Sequence, residues 1–268
     1  MKIRSNSPIK SEHSLVKQPE LHQFFADIGL RLETGKIVLS ANGQDVKQLF
    51  SAVSSRIARA EKQQQKLDCK EATRFNLFDL IQPDENKLSD ILKLLLDPKG
   101  EHGQGDLFLR LLIEKLDIGL TTKHTQHALV EREAPTHGIE KYRRRIDVLA
   151  EAGDWVAIEN KVDSSEQPEQ VKDYLGHLRY CTRGNGHRFV LIYLTPEGRR
   201  PDSLNRAELD EAVSSGSLRC WSYQLQLREW LVTCRSLCNA PRMQFFLSDF
   251  IAYIESHLKR EPKTNDEE

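Results

Sequence analysis

Three residues in the middle of the chain have the types and spacing of a reaction centre. Asp147 lies between Ile146 and Val148, while Glu159 and Lys161 sit two apart at the end of the apolar run 155–158. A strand presents alternate side chains to opposite faces, so Glu159 and Lys161 share one face. Carboxylates on neighbouring strands suit a hard divalent cation, which takes oxygen ligands and is commonly held by one or two carboxylates plus water and substrate phosphate. Asp147 and Glu159 are the candidate metal ligands, and the backbone carbonyl of Asn160 is a candidate third. Lys161 beside them can orient or deprotonate an attacking water and offset phosphate charge. The pattern D-x11-E-x-K thus points to metal-assisted hydrolysis of a phosphodiester, which needs no nucleophilic Ser or Cys.

Outlying residues extend the pattern. Glu85 opens a helix upstream and can add a carboxylate or bind a water of the metal shell; its alternative is a first-turn acid favourable to the helix dipole. Gln170 and Tyr174, four apart on one helix face, can hydrogen-bond phosphate or that water shell. The alternative for Tyr174 is a packing residue of an amphipathic helix. Arg143 and Arg145 precede Asp147 and share its face by alternation, which suits a phosphate track for nucleic acid or else a solvated strand start. The Gly-rich loop 102–106 (HGQGD) matches neither phosphate-loop pattern and reads as a turn that caps the helix beginning near Asp106; its alternative is a phosphate contact through its backbone amides. His124, His127, His137, His177 and His187 lack metal-ligand spacing and read as surface or loop residues.

The elements that must position these residues follow from periodicity. Strands are expected over 127–135, 143–152, 155–162, 187–196 and 218–223, with a Gly153-Asp154 turn joining the second and third. A helix beginning near Gln167-Pro168 links the third strand to the fourth, which implies a parallel pair. Asp84 is the expected N-cap of a helix running from Glu85 to about Leu96, and a last helix spans Pro241 to Leu258. Upstream, the spacing of Leu21, Phe24, Phe25, Ile28 and Leu32 predicts a helix, 35–43 a short extended piece, and 45–68 a long charged helix. The division is then a disordered tail (1–18), a helical extension (19–73), an α/β domain (74–258) and a charged tail (259–268). The fold class is α/β: a central mixed β-sheet flanked by helices, with an N-terminal helical extension.

Composition narrows the setting. The chain has 268 residues and a formal net charge of -1, which argues against a histone-like non-specific binder but leaves room for a local basic patch. Five scattered cysteines read as free thiols of a reducing cytosol rather than a zinc site. No apolar leader and no run of roughly 18 apolar residues is present, so a cytoplasmic protein without a membrane partner is expected.

The order Glu85, Asp147, Glu159-x-Lys161, Gln170-x3-Tyr174, on helix, strand, strand and helix, resembles the PD-(D/E)XK nuclease superfamily. The Gln170-x3-Tyr174 element is most similar to its lambda exonuclease and RecB branch. More narrowly, DENKLSDILKLLLDP followed by HGQGDLFL resembles a bacterial and phage-associated family within it. The resemblance spans roughly residues 74–255. It implies a restriction-endonuclease-like core that makes 74–258 a nuclease domain, a magnesium cofactor, with manganese able to substitute, metal ligation by Asp147 and Glu159, a catalytic role for Lys161, and supporting roles for Glu85, Gln170 and Tyr174. It implies DNA as substrate, with RNA the variant. CRISPR-associated relatives with this motif carry a four-cysteine iron–sulfur cluster for which this chain has no cysteine set. The reading of a different class is a catalytically inactive nucleic-acid-binding or assembly subunit that retains the fold. The N-terminal helices are the candidate surface for a homo-oligomer or protein partner.

Overall fold

In the computed structural model a turn at Gly153 joins two strands of the sheet that carries the candidate site. Its φ of 83° favours glycine, and an added Cβ would lie 2.9 Å from the His124 ring. Asp154 beside it accepts the backbone N–H groups of Thr121 and Arg188, both at 2.8 Å, and so ties this corner to two other segments. The structure describes residues 30–33, 36–39, 43–136 and 144–258. The chain divides into two units, residues 1–75 and 76–268.

The first unit holds an antiparallel hairpin, β1 (Leu30–Glu33) and β2 (Lys36–Leu39), and a long helix, α1 (Gly43–Glu71). The hairpin corrects the helix expected over 20–32. Leu30 and Leu32 are two apart, as are Ile37 and Leu39, and the register sets Leu30 opposite Leu39 and Leu32 opposite Ile37. Pairing of these period-two positions overrides the helical spacing to which Leu32 also conforms. Residues 20–29 of that expected helix, and both expected tails, lie outside the described residues.

The second unit runs α2 (Leu77–Ile81), α3 (Glu85–Leu96), α4 (Leu107–Leu116), β3 (Leu129–Pro135), β4 (Arg145–Ala152), β5 (Asp154–Asn160), α5 (Gln170–Thr182), β6 (Phe189–Thr195), α6 (Arg206–Ser214), β7 (Leu218–Ser222), α7 (Arg228–Leu237) and α8 (Pro241–His257). The sheet is mixed, in the order β3-β4-β5-β6-β7. Its first two pairings are antiparallel and its last two, made across α5 and α6, are parallel. Alternation sorts the strand residues to two apolar cores. Val148, Ala150, Ile158, Ile192 and Trp221 pack with α3, α4, α7 and α8 on one face. Leu149, Ala157, Leu191 and Tyr193 pack with α5 and α6 on the other. The result is a helix–sheet–helix sandwich with a central β5 buried on both sides.

Asp84 caps α3 as expected, accepting Lys87 N–H at 2.7 Å. Asp106 makes no such cap on α4. Its carboxylate instead takes the Thr125 hydroxyl at 2.5 Å, while the loop before it folds around the buried His102 ring. His177 is also buried, on α5, rather than a surface residue.

Candidate metal centre

The site forms where the β4–β5 ladder stops. Its last rung pairs Val148 with Ile158. One residue further on, the Asp147 side chain takes over from the backbone: its Oδ2 accepts the Asn160 N–H at 2.8 Å. Ile146 and Val148, which regular alternation would bury on one face, belong to opposite cores, so the pleat breaks at Asp147. Across on β3, Glu133 stands at a φ of 49° and drops out of the register. Such local distortions re-aim side chains. Arg132 from β3 holds the new geometry by donating to the Asp147 carbonyl oxygen, and it also donates to Asp90 on α3 at 2.9 Å.

On β5 the alternation is regular. Glu159 faces α5 and Asn160 faces α3, while Lys161, just past the strand, meets Glu159 and Glu85. Glu159 is 1% exposed. Its Oε1 accepts the Gln170 amide at 2.7 Å and lies 2.9 Å from Lys161 Nζ, whereas its Oε2 is buried with no hydrogen-bond partner. Burial, and then the charge of Asp147, push the Glu159 carboxyl up to about 8 against the pull of Lys161. Burial likewise raises Asp147, although the Asn160 N–H and Lys161 oppose it. Burial disfavours the Lys161 ammonium, but Glu159, followed by Glu85 and Asp147, holds its pKa above the usual lysine value. Lys161 is therefore an ammonium in this arrangement.

The structure brings most of the expected residues together, in roles more specific than the sequence indicates. The Glu85 carboxylate accepts Val162 N–H at 2.9 Å and the Ser164 hydroxyl at 2.7 Å, and stands 3.7 Å from Lys161 Nζ, pinning the chain that leaves β5. Gln170 and Tyr174 do share a helix face, 3.0 Å apart, but both point inward. Gln170 Oε1 accepts Gln167 N–H at 3.0 Å, which fixes the amide so that its nitrogen donates to Glu159. Burial and Glu159 raise the Tyr174 phenol, which stays protonated and donates to the Arg145 carbonyl at 2.6 Å. Arg143 lies outside the described residues. Arg145 is exposed and pairs with Glu133 at 2.6 Å.

Two contributions escape the sequence reading. Arg144, buried, bonds Asp173 at 2.5 Å, Gln167 at 3.1 Å and the Pro168 carbonyl, clamping the turn that starts α5. Its position between Arg143 and Arg145 gives no sign that it turns inward. The Asn160 side chain donates to the Glu85 carbonyl and the Ser89 hydroxyl and accepts the Tyr223 hydroxyl at 2.8 Å, tying β5 to α3 and to the turn after β7. An unbroken polar residue at the end of an apolar strand was the one available signal for it.

A divalent cation fits the residues present. Glu159 offers a buried oxygen that no described residue satisfies, and a cation or a proton is what such an atom requires. Among the described residues no group of three or more His, Cys, Asp or Glu side chains converges on one ion position. The protein thus offers a partial, all-oxygen shell, which suits magnesium better than zinc because magnesium retains waters and takes substrate phosphate. A strand residue turns its N–H and C=O to the same edge, so the Asn160 carbonyl is directed towards β4, as its N–H is. A family model described as the PD-(D/E)XK nuclease superfamily matches residues 75–252. No curated protein and no solved structure matches the chain.

Proposed function

This chain belongs to the PD-(D/E)XK nuclease superfamily, and on that premise we propose that it is an active, magnesium-dependent nuclease acting on DNA. The observation that carries the reading is Glu159. A buried carboxylate with one oxygen held by Gln170 and Lys161 and the other unsatisfied weakens a fold unless a ligand completes it. Asp147, Glu159 and the Asn160 carbonyl are the proposed ligands. When bound, the cation supplies positive charge against phosphate oxygens and lowers the pKa of water.

Each other role belongs to the chain itself. The Lys161 ammonium donates to a phosphate oxygen or orients the attacking water, and its charge opposes the negative charge that builds in the transition state. Glu85 holds Lys161 and the 162–164 segment in register. Gln170 and Tyr174 are positioning residues that fix Glu159 and the start of β4. Their presence as a Gln-x3-Tyr pair supports the lambda exonuclease and RecB-like branch. Arg145, with Arg143, supplies a basic approach for the nucleic-acid backbone, and manganese substitutes for magnesium. The reading places the enzyme in the cytoplasm.

Incubating the purified full chain with linear, circular and single-stranded DNA, and with RNA, in magnesium or manganese tests this. DNA cleavage is expected, with Asp147→Ala, Glu159→Gln and Lys161→Ala each reducing it by roughly 10²–10³-fold. Absence of cleavage, or cleavage indifferent to these substitutions, refutes catalysis and leaves the inactive nucleic-acid-binding subunit. Cleavage of RNA alone changes the substrate.

A further inference from the structure

The helix α1 carries a pattern for which the metal centre has no use. Val46, Phe50, Val53, Ile57, Ala60, Gln64 and Leu67 recur at alternating spacings of four and three along Gly43–Glu71. That is the a/d repeat of a coiled coil, sustained for three heptads. The seam is exposed: Phe50 is 67% accessible, Ile57 53% and Leu67 41%. Water disfavours such a row of apolar side chains on one face of a long helix, and a partner helix with the same period removes it.

We propose that α1 pairs in parallel with α1 of a second copy of this chain. The flanking positions make the seam self-complementary. Arg56 at a g position falls opposite Glu61 at the e position five residues further along the second copy, an attraction that two-fold symmetry makes twice. The other g–e pairs, Leu49 with Ser54 and Gln63 with Asp68, hold no like charges. In parallel register Gln64, the single polar a residue before the helix ends at Glu71, meets its own copy, and an amide both donates and accepts. It bonds Asp68 and Thr73 in the structure, and pairing trades the Thr73 bond for the facing amide. An antiparallel arrangement that matches a to d layers would set Gln64 against Val53 instead. A single polar a position is the device that fixes register and strand number in coiled coils.

Sedimentation equilibrium or light scattering on the full chain tests the pairing, with circular dichroism to confirm retained helix. The wild-type chain is expected to reach twice its mass of 30.9 kDa as its concentration rises. Ile57→Asp puts two carboxylates in the seam and weakens the dimer by at least about a hundredfold. Arg56→Glu turns both attractions into repulsions and weakens it by about tenfold. The double variant Arg56→Glu with Glu61→Arg restores wild-type association. A chain that stays at 30.9 kDa at every concentration, a dimer insensitive to Ile57→Asp, or a double variant that fails to recover overturns the proposal. None of these outcomes depends on whether the metal centre cleaves DNA.

Discussion

Glu159 sets the acid–base behaviour of the centre. With a carboxyl pushed up to about 8, it holds a proton at neutral pH, and a cation must displace it. Metal binding at pH 7 is therefore expected to release close to one proton, seen as a calorimetric enthalpy that tracks the ionisation heat of the buffer, and Glu159→Gln abolishes the dependence. Affinity rises with pH towards about 8. Stability of the metal-free protein runs the other way. The folded carboxyl binds its proton more tightly than the usual 4.5, so its contribution is complete below that value and is lost as pH rises through about 8. Urea midpoints across that window, with and without magnesium, check the sign. Gln170→Leu removes the amide that aims Glu159 and should lower metal affinity by roughly 10–100-fold, while the fold, read by near-ultraviolet dichroism, persists. The types and spacing of Asp147, Glu159 and Lys161 were legible because strand alternation is local. The targets of Gln170 and Tyr174 were not: the i and i+4 spacing places them together, but only the packing of α5 decides that they reach Glu159 and the Arg145 carbonyl instead of phosphate.

Among the elements, α5 is the one whose placement the centre depends on most. Two attachments hold its first turn: the bonds from Gln170 and Tyr174 to the ends of β5 and β4, and the Arg144 clamp on Gln167, Pro168 and Asp173. Arg144→Ala leaves Asp173 and the Pro168 carbonyl without their partner in a largely buried site, and is expected to cost about 3–5 kcal/mol. Equilibrium urea unfolding measures this, and a change under about 1 kcal/mol would show the clamp to be incidental. The apolar strands and helices of this layer were readable from period and length. The clamp was not, because three consecutive arginines give no indication of which one lies over the turn from α5 until the strand is placed beneath the helix. The same reason accounts for the hairpin: Leu32 fits a helix period with Ile28 and a strand period with Leu30 at once, and the pairing with Ile37 and Leu39 decides between them.

For the whole molecule, the two apolar cores of the second unit are built, among the described residues, from side chains between Phe78 and Leu258. A fragment of residues 76–268 is expected to unfold in one cooperative transition and to keep its metal response, whereas a broad, non-cooperative transition would show that the first unit supports it. The rung that Asp147 supplies to the sheet has a consequence for how this protein can decay. Without that carboxylate the Asn160 N–H is left buried with no acceptor, so natural selection for folding alone preserves an acid or its amide at 147 even after activity is gone. Glu159 is under no such pressure. A glutamine in its place keeps an oxygen for the Gln170 amide and the Lys161 ammonium, so folding alone does not require the acid. In a lineage that had lost its chemistry, drift would erode position 159 first and 147 last. A chain that still carries Glu159 retains the residue that folding alone gives no reason to keep.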